Sequence, residues 1–131
     1  MLASMSDSPR KPTSAELDVL AVLWSEGPST VRAVHSRLSK KKATGYTTVL
    51  KTMQIMAEKG LVTRDETGVA HICTAAVAED ETRRQFVSDL SSKLFQGRPA
   101  KLALHALADQ PVTAQELDEI SALIERMRAE R

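Results

Sequence analysis

Cysteine is nearly absent from this chain: Cys73 is the only one in 131 residues. An intramolecular disulfide is therefore impossible, and no cysteine cluster exists to hold zinc or an iron–sulfur centre. Aromatics are almost as scarce, with Trp24, Tyr46, Phe86 and Phe95 making the full set. Any core must be built from Leu, Val, Ile, Ala and Met. There is no apolar run long enough to span a bilayer. Residues 1–12 carry no signal-peptide hydrophobic region. They are rich in Ser and Pro, offer a second possible start at Met5, and are expected to form a disordered tail. A cytoplasmic protein without a membrane partner is the expectation.

Charge is also nearly missing in sum, at +1, but it is unevenly placed. Residues 1–78 hold ten Lys/Arg against seven Asp/Glu, and residues 79–131 hold eight against ten. A mildly basic front and an acidic rear fit a DNA-facing half and a partner-facing half.

What is present is helical periodicity punctuated by caps. Thr13-Ser14-Ala15-Glu16 is a capping box, in which Thr and Glu side chains satisfy each other's backbone amides. Leu17, Leu20, Ala21 and Trp24 follow at helical spacing as one expected buried stripe. Gly27-Pro28 ends that helix. Ser29 is the expected N-cap of a second, with Val31, Val34 and Leu38 inward.

A polar, Lys-rich connection from Ser39 to Thr44 leads to a third helix, from Gly45 or Tyr46 to Lys59. At about 100° per residue, Val49, Met53 and Met56 gather on one side. Thr47, Lys51, Gln54 and Glu58 fall opposite. Gly60 is placed to cap the helix in the left-handed conformation. Leu61–Arg64 and Val69–Thr74 have strand character around an Asp65–Gly68 turn. Two helices, a third with two contrasting faces, and a β-hairpin are the order of a winged helix-turn-helix.

Such a module presents its third helix to the major groove. Lys51 suits guanine, Gln54 suits adenine, and Thr47 and Thr48 suit a thymine methyl or a phosphate. Thr44 lies at the helix entry. Tyr46, in the first turn, either contacts a phosphate through its hydroxyl or packs inward, and geometry leaves both open. Lys40, Lys41 and Lys42 precede the helix and are either sequence-blind phosphate contacts or an ordinary solvated charge run. Ser29, Thr30 and Arg32 are weaker backbone candidates, and Arg64 and His71 border the wing. Lys41, Lys42, Thr44, Tyr46, Thr47, Thr48, Lys51, Gln54 and Arg64 form the expected DNA-binding set.

Residues 79–131 read as three further helices: Asp80–Phe95, Pro99–Ala108, and one begun by a second capping box at Thr113-Ala114-Gln115-Glu116. Phe86, Leu90 and Leu94 line one of them, and Leu117, Ile120, Ile124 and Met127 line another at the seam spacing of packed helices. Three helices of this size bury little apolar surface alone. They are expected to complete their core with a second copy, the simpler alternative being a fold back onto the front domain. The expected domains are a tail (1–12), a winged-helix domain (13–78) and a helical dimerisation domain (79–131).

Enzymatic chemistry finds no support. His35, His71 and His105 are scattered, His71 and Cys73 supply at most two metal ligands, and no nucleophile–base arrangement or phosphate loop is present. No cofactor or metal is expected.

Trp24, Gly27-Pro28, Tyr46-Thr47-Thr48-Val49, Lys59-Gly60-Leu61-Val62 and the Gly68 turn together resemble the BlaI/MecI/CopY family of penicillinase-repressor-type regulators. The resemblance runs from Thr13 to Arg128 and includes the Phe95-Gln96-Gly97 break. It implies a homodimer that binds a palindromic double-stranded operator, represses transcription, and is released by a signal through a sensor or protease partner. There are departures. Ile55 and Val69 stand where the family commonly has Arg, which removes two implied phosphate contacts. The family's Asn–Phe cleavage bond corresponds by position to His105-Ala106, which does not match it. The copper-responsive branch's Cys-x-Cys motif is missing. Two other readings stand beside the repressor: a winged-helix protein-interaction adaptor without specific DNA binding, and a MarR-type ligand-sensing regulator.

Overall fold

A computed structural model describes residues 11–131. The expected disordered tail lies outside the described residues except for Lys11 and Pro12. Pro12, the last residue of the expected tail, is buried.

The described residues form six α-helices and three short strands: α1 (Ser14–Glu26), β1 (Ser29–Thr30), α2 (Val31–Ser39), α3 (Tyr46–Lys59), β2 (Val62–Asp65), β3 (Ile72–Ala75), α4 (Glu79–Leu94), α5 (Pro99–Asp109) and α6 (Ala114–Ala129). They fall into two compact units, one ending at Thr82 and the other running from Arg83 to Arg131.

In the first unit α1 starts at the expected capping box. The Glu16 amide donates to Thr13 Oγ1 at 3.2 Å and the Thr13 amide donates to Glu16 Oε1 at 2.9 Å. Its inner face differs from the expected stripe. Val19, Leu20, Val22 and Leu23 are buried, Leu17 and Trp24 are half-buried, and Ala21 is exposed. Three layers of partner, α2, α3 and the sheet, surround α1, so its apolar arc is wider than one stripe.

Ser29 does not cap α2. It is buried in β1, paired with Cys73, and Thr30 is the N-cap, accepting from the Ala33 amide at 3.1 Å. The third strand is thus recruited from the residues before α2, giving an antiparallel order β1-β3-β2.

α3 ends at Gly60, whose φ is 86°. The Leu61 amide donates to Met56 O at 2.9 Å and the Gly60 amide to Ala57 O at 3.3 Å, the pair of bonds that closes a Schellman cap. Met56 and Leu61 are both buried, which supplies the apolar contact that accompanies it. This fixes the exit of α3 into β2. The hairpin that follows is more open than expected. Asp65 pairs with Ile72, so the wing loop spans residues 66–71 and Val69 lies at its tip, fully exposed.

The core comprises Val19, Leu20, Val22, Leu23, Val34, Val49, Met53, Met56, Leu61, Val62 and Cys73. Every buried apolar residue among the described ones lies in this first unit. Two long-range polar contacts complete it. Trp24 Nε1 donates to Val77 O at 3.0 Å, pinning the connector after β3. Lys59 Nζ lies 2.7 Å from Glu16 Oε2, joining the end of α3 to the start of α1. Burial raises the Glu16 pKa, but the Lys59 and Thr13 hydrogen bonds outweigh it and leave the carboxyl below its ordinary value.

In the second unit α6 carries the expected capping box at Thr113 and Glu116. Neither α5 nor α6 has a buried residue. Leu90, Leu94, Leu117, Ile124 and Met127 are exposed, while Phe86 and Ile120 are half-buried. His105 lies on the surface of α5, 3.4 Å from Asp109 and with its ring 5.8 Å from that of Phe95. Among the described residues no helix is long and apolar enough to cross a membrane.

Candidate nucleic-acid interface

α3 is amphipathic in the way its spacing requires. Val49, Met53 and Met56 are clamped in the core, at 2%, 1% and 0% exposure. Thr47, Thr48, Lys51 and Gln54 are exposed on the opposite side. Ile55 and Glu58 are exposed there too. Glu58 places a carboxylate at the C-terminal end of this face, so the part compatible with phosphate is its first half. Lys59 adds nothing to it, because its ammonium is held by Glu16.

The N-cap of α3 is Gly45, without a side-chain cap, whereas Thr13, Thr30 and Thr113 cap α1, α2 and α6. The first-turn amides of α3 thus remain open to an external acceptor.

The approach to α3 is a wound turn. The Lys41 and Lys42 amides donate to Leu38 O at 3.2 and 3.3 Å, and the three ammonium-bearing residues Lys40, Lys41 and Lys42 are exposed. Thr44 is half-buried and works inside the turn: its hydroxyl donates to Lys42 O at 2.8 Å. Its carbonyl meets His35 Nε2 at 2.7 Å. A carbonyl only accepts, so that ring nitrogen carries the proton. A concavity of about 810 Å³ opens beside this turn, with Asp18, Lys41, Lys42, Thr48 and Thr52 on its walls.

Tyr46 opens α3 with its side chain partly covered. It is 39% exposed and its ring stands edge-on to His35, with centroids 5.6 Å apart and planes at 79°. Arg32 Cζ lies 5.7 Å from the Tyr46 ring centroid. By sequence position His35 is one of three scattered histidines and Arg32 a weaker backbone candidate. His35 lies on α2 and Thr44 at the end of the non-helical turn that follows, so no single period joins the two.

The wing is electrically quieter than expected. Arg64 pairs with Glu66 at 3.2 Å. Asp65 Oδ1 accepts from the Thr67 amide at 3.0 Å and the Thr67 hydroxyl at 2.7 Å, bonds that hold its carboxyl below the ordinary range. His71 is exposed and lies before β3, while Cys73 is fully buried and its thiol is pushed up by burial, with Arg64 opposing. The two do not share a strand face as metal ligands. Among the described residues no group of three or more His, Cys, Asp or Glu is arranged so that it could hold a metal ion.

Three helices, an exposed third-helix face and a hairpin closing against the strand before α2 define a winged helix-turn-helix module. The comparisons agree and go further. The family model described as penicillinase repressor matches residues 12–126. The transcriptional regulator BlaI of Mycobacterium tuberculosis is 30% identical over 115 residues, 87% of this chain and 83% of that one. The chain belongs to the penicillinase repressor family, whose members are winged-helix transcriptional repressors.

Solved structures show the same fold over about half of the chain. The solution structure of the DNA-binding domain of the repressor BlaI superposes with a TM-score of 0.51 at 22% identity, covering 56% of this chain and 90% of that one. The Bacillus licheniformis BlaI monomeric form in complex with the blaP half-operator gives a TM-score of 0.50 at 22% identity over the same shares.

Proposed function

We propose that this chain is a homodimeric transcriptional repressor that reads a palindromic duplex operator with α3. The observation that carries the proposal is the clamping of Val49, Met53 and Met56 in the core, which leaves Thr47, Thr48, Lys51 and Gln54 facing outward on one rigid helix. Lys51 and Gln54 read base edges. Lys41, Lys42 and the open first-turn amides of α3 take phosphates and set its register. Thr44 acts as a scaffold of the turn. Binding, with no catalytic step, is the whole activity, and release follows from a signal acting on the repressor.

The second unit is the homodimer element. Its support is the lack of any buried apolar residue in α5 or α6 and the exposure of Leu90, Leu94, Leu117, Ile124 and Met127 at helical spacing. Helical faces of that kind gain stability only when covered. A homodimer gives the operator its two-fold symmetry.

The test is selection of duplexes from a random library by the full chain, followed by fluorescence-anisotropy competition. The proposal expects an enriched palindrome that outcompetes random DNA by about 10³-fold or more. Equal competition by random DNA supports the adaptor reading instead, which draws on the apolar Ile55 within the α3 face and on the neutralised Arg64.

A further inference from the structure

We propose that Arg32, on α2, is a phosphodiester-binding residue of the operator complex, with the Tyr46 ring as its platform and His35 as the strut that fixes that ring. This rests on the operator reading given above and adds to it a contact on α2.

Three arginines of the first unit are described, and their charges are disposed differently. Arg37 is paired with Glu26, and Arg64 with Glu66. Arg32 has no carboxylate partner among the described residues. Its Cζ lies over the Tyr46 ring, 5.7 Å from the centroid, inside the range of about 6 Å for a cation–π interaction. A cation–π contact at this distance occupies no carboxylate or carbonyl acceptor. It leaves the N–H edges free, and those edges form the fork that matches two phosphate oxygens. An arginine held beside an aromatic ring also has less rotamer freedom to give up on binding.

The platform is itself fixed. Tyr46 opens α3, and its ring packs at 79° to the His35 ring with centroids 5.6 Å apart. His35 is fixed in turn by donating to the Thr44 carbonyl in the turn between α2 and α3. The guanidinium therefore sits at a set position relative to the first turn of α3, where the groove-reading face begins. A phosphate gripped by Arg32 fixes how far α3 enters the groove. Tyr46 contributes through its ring.

The experiment uses the full chain and the duplex it selects, with affinity followed as salt is raised. Each phosphate contact contributes a slope of about 0.9 in log affinity against log salt. Arg32→Gln is expected to lower the slope by about 0.9 per bound subunit. Arg32→Lys retains the slope but binds several-fold more weakly, because it lacks the planar fork. Tyr46→Leu loses affinity as Arg32→Gln does, and the double variant is no weaker than either single one. Circular dichroism on each variant establishes that it is folded. A wild-type chain that binds DNA while Arg32→Gln keeps the same slope overturns this proposal alone, as does a fully additive double variant. A wild-type chain that binds no duplex at any salt overturns the operator reading, and this proposal with it.

Discussion

Replacing Lys59 with Met tests the contact that ties the end of α3 to the start of α1. Glu16 is 3% exposed, and its two oxygens are used by the Thr13 amide and the Lys59 ammonium. Lys59→Met keeps the apolar stem and removes the charge, so a buried carboxylate is left with one donor. Breaking a buried pair from one side costs about 3–5 kcal/mol. The Thr13 amide remains, which places the expected loss at the lower end, about 3 kcal/mol at pH 7.

The pH dependence follows from the direction of the shift. The Glu16 carboxyl is lowered from 4.5 in the folded protein. Its contribution to stability is present above the unfolded pKa and is lost as pH falls through the folded one. In the variant, burial acts without its main opponent and the folded pKa moves up. The penalty is then greatest at neutral pH and shrinks as the carboxyl protonates in acid. Urea titration followed by Trp24 fluorescence reports on this unit alone, since Trp24 is the only tryptophan and lies in α1. A gap between wild type and variant that stays constant from pH 7 to about pH 3.5 refutes the reasoning, as does a gap below about 1 kcal/mol at pH 7.

Met53→Ala removes a fully buried side chain from the inner face of α3 and is expected to cost about 2–5 kcal/mol in the same urea assay. Glu66→Gln releases Arg64 to approach a phosphate, so operator affinity rises and the salt slope steepens by about 0.9 per subunit, read by anisotropy. Charging Leu117 and Ile124 together should convert the species seen by light scattering at micromolar protein to a 14.3 kDa monomer, with the wild type at twice that mass.

Local grammar made most of the helices legible. Both Thr-x-x-Glu capping boxes, the Gly60 stop and the two faces of α3 follow from spacings of three and four residues. What the sequence hid is long-range. Ser29 looks like a cap because Ser caps helices, but pairing with Cys73, far along the chain, makes it strand. Val69 has strand propensity, yet the Asp65–Ile72 register closes the ladder before it and leaves it at the wing tip. Ala21 fits the helical stripe but is exposed, because the buried face of α1 is centred on Val19 and Leu23 and Ala21 lies on the far side of the helix from them. In the candidate site, the outward residues of α3 were readable from periodicity. The Arg32–Tyr46–His35 cluster and the Arg64–Glu66 pair depend on how elements pack, which no period encodes.

The central claim is that the outward face of α3 makes the contact with operator DNA. Nuclease footprinting of the selected duplex, with the wild type beside Lys51→Ala, tests it most directly. The account predicts two protected half-sites centred roughly 34 Å apart, with about ten-fold more Lys51→Ala needed for the same protection. Protection that Lys51→Ala leaves unchanged in position and in concentration would contradict it.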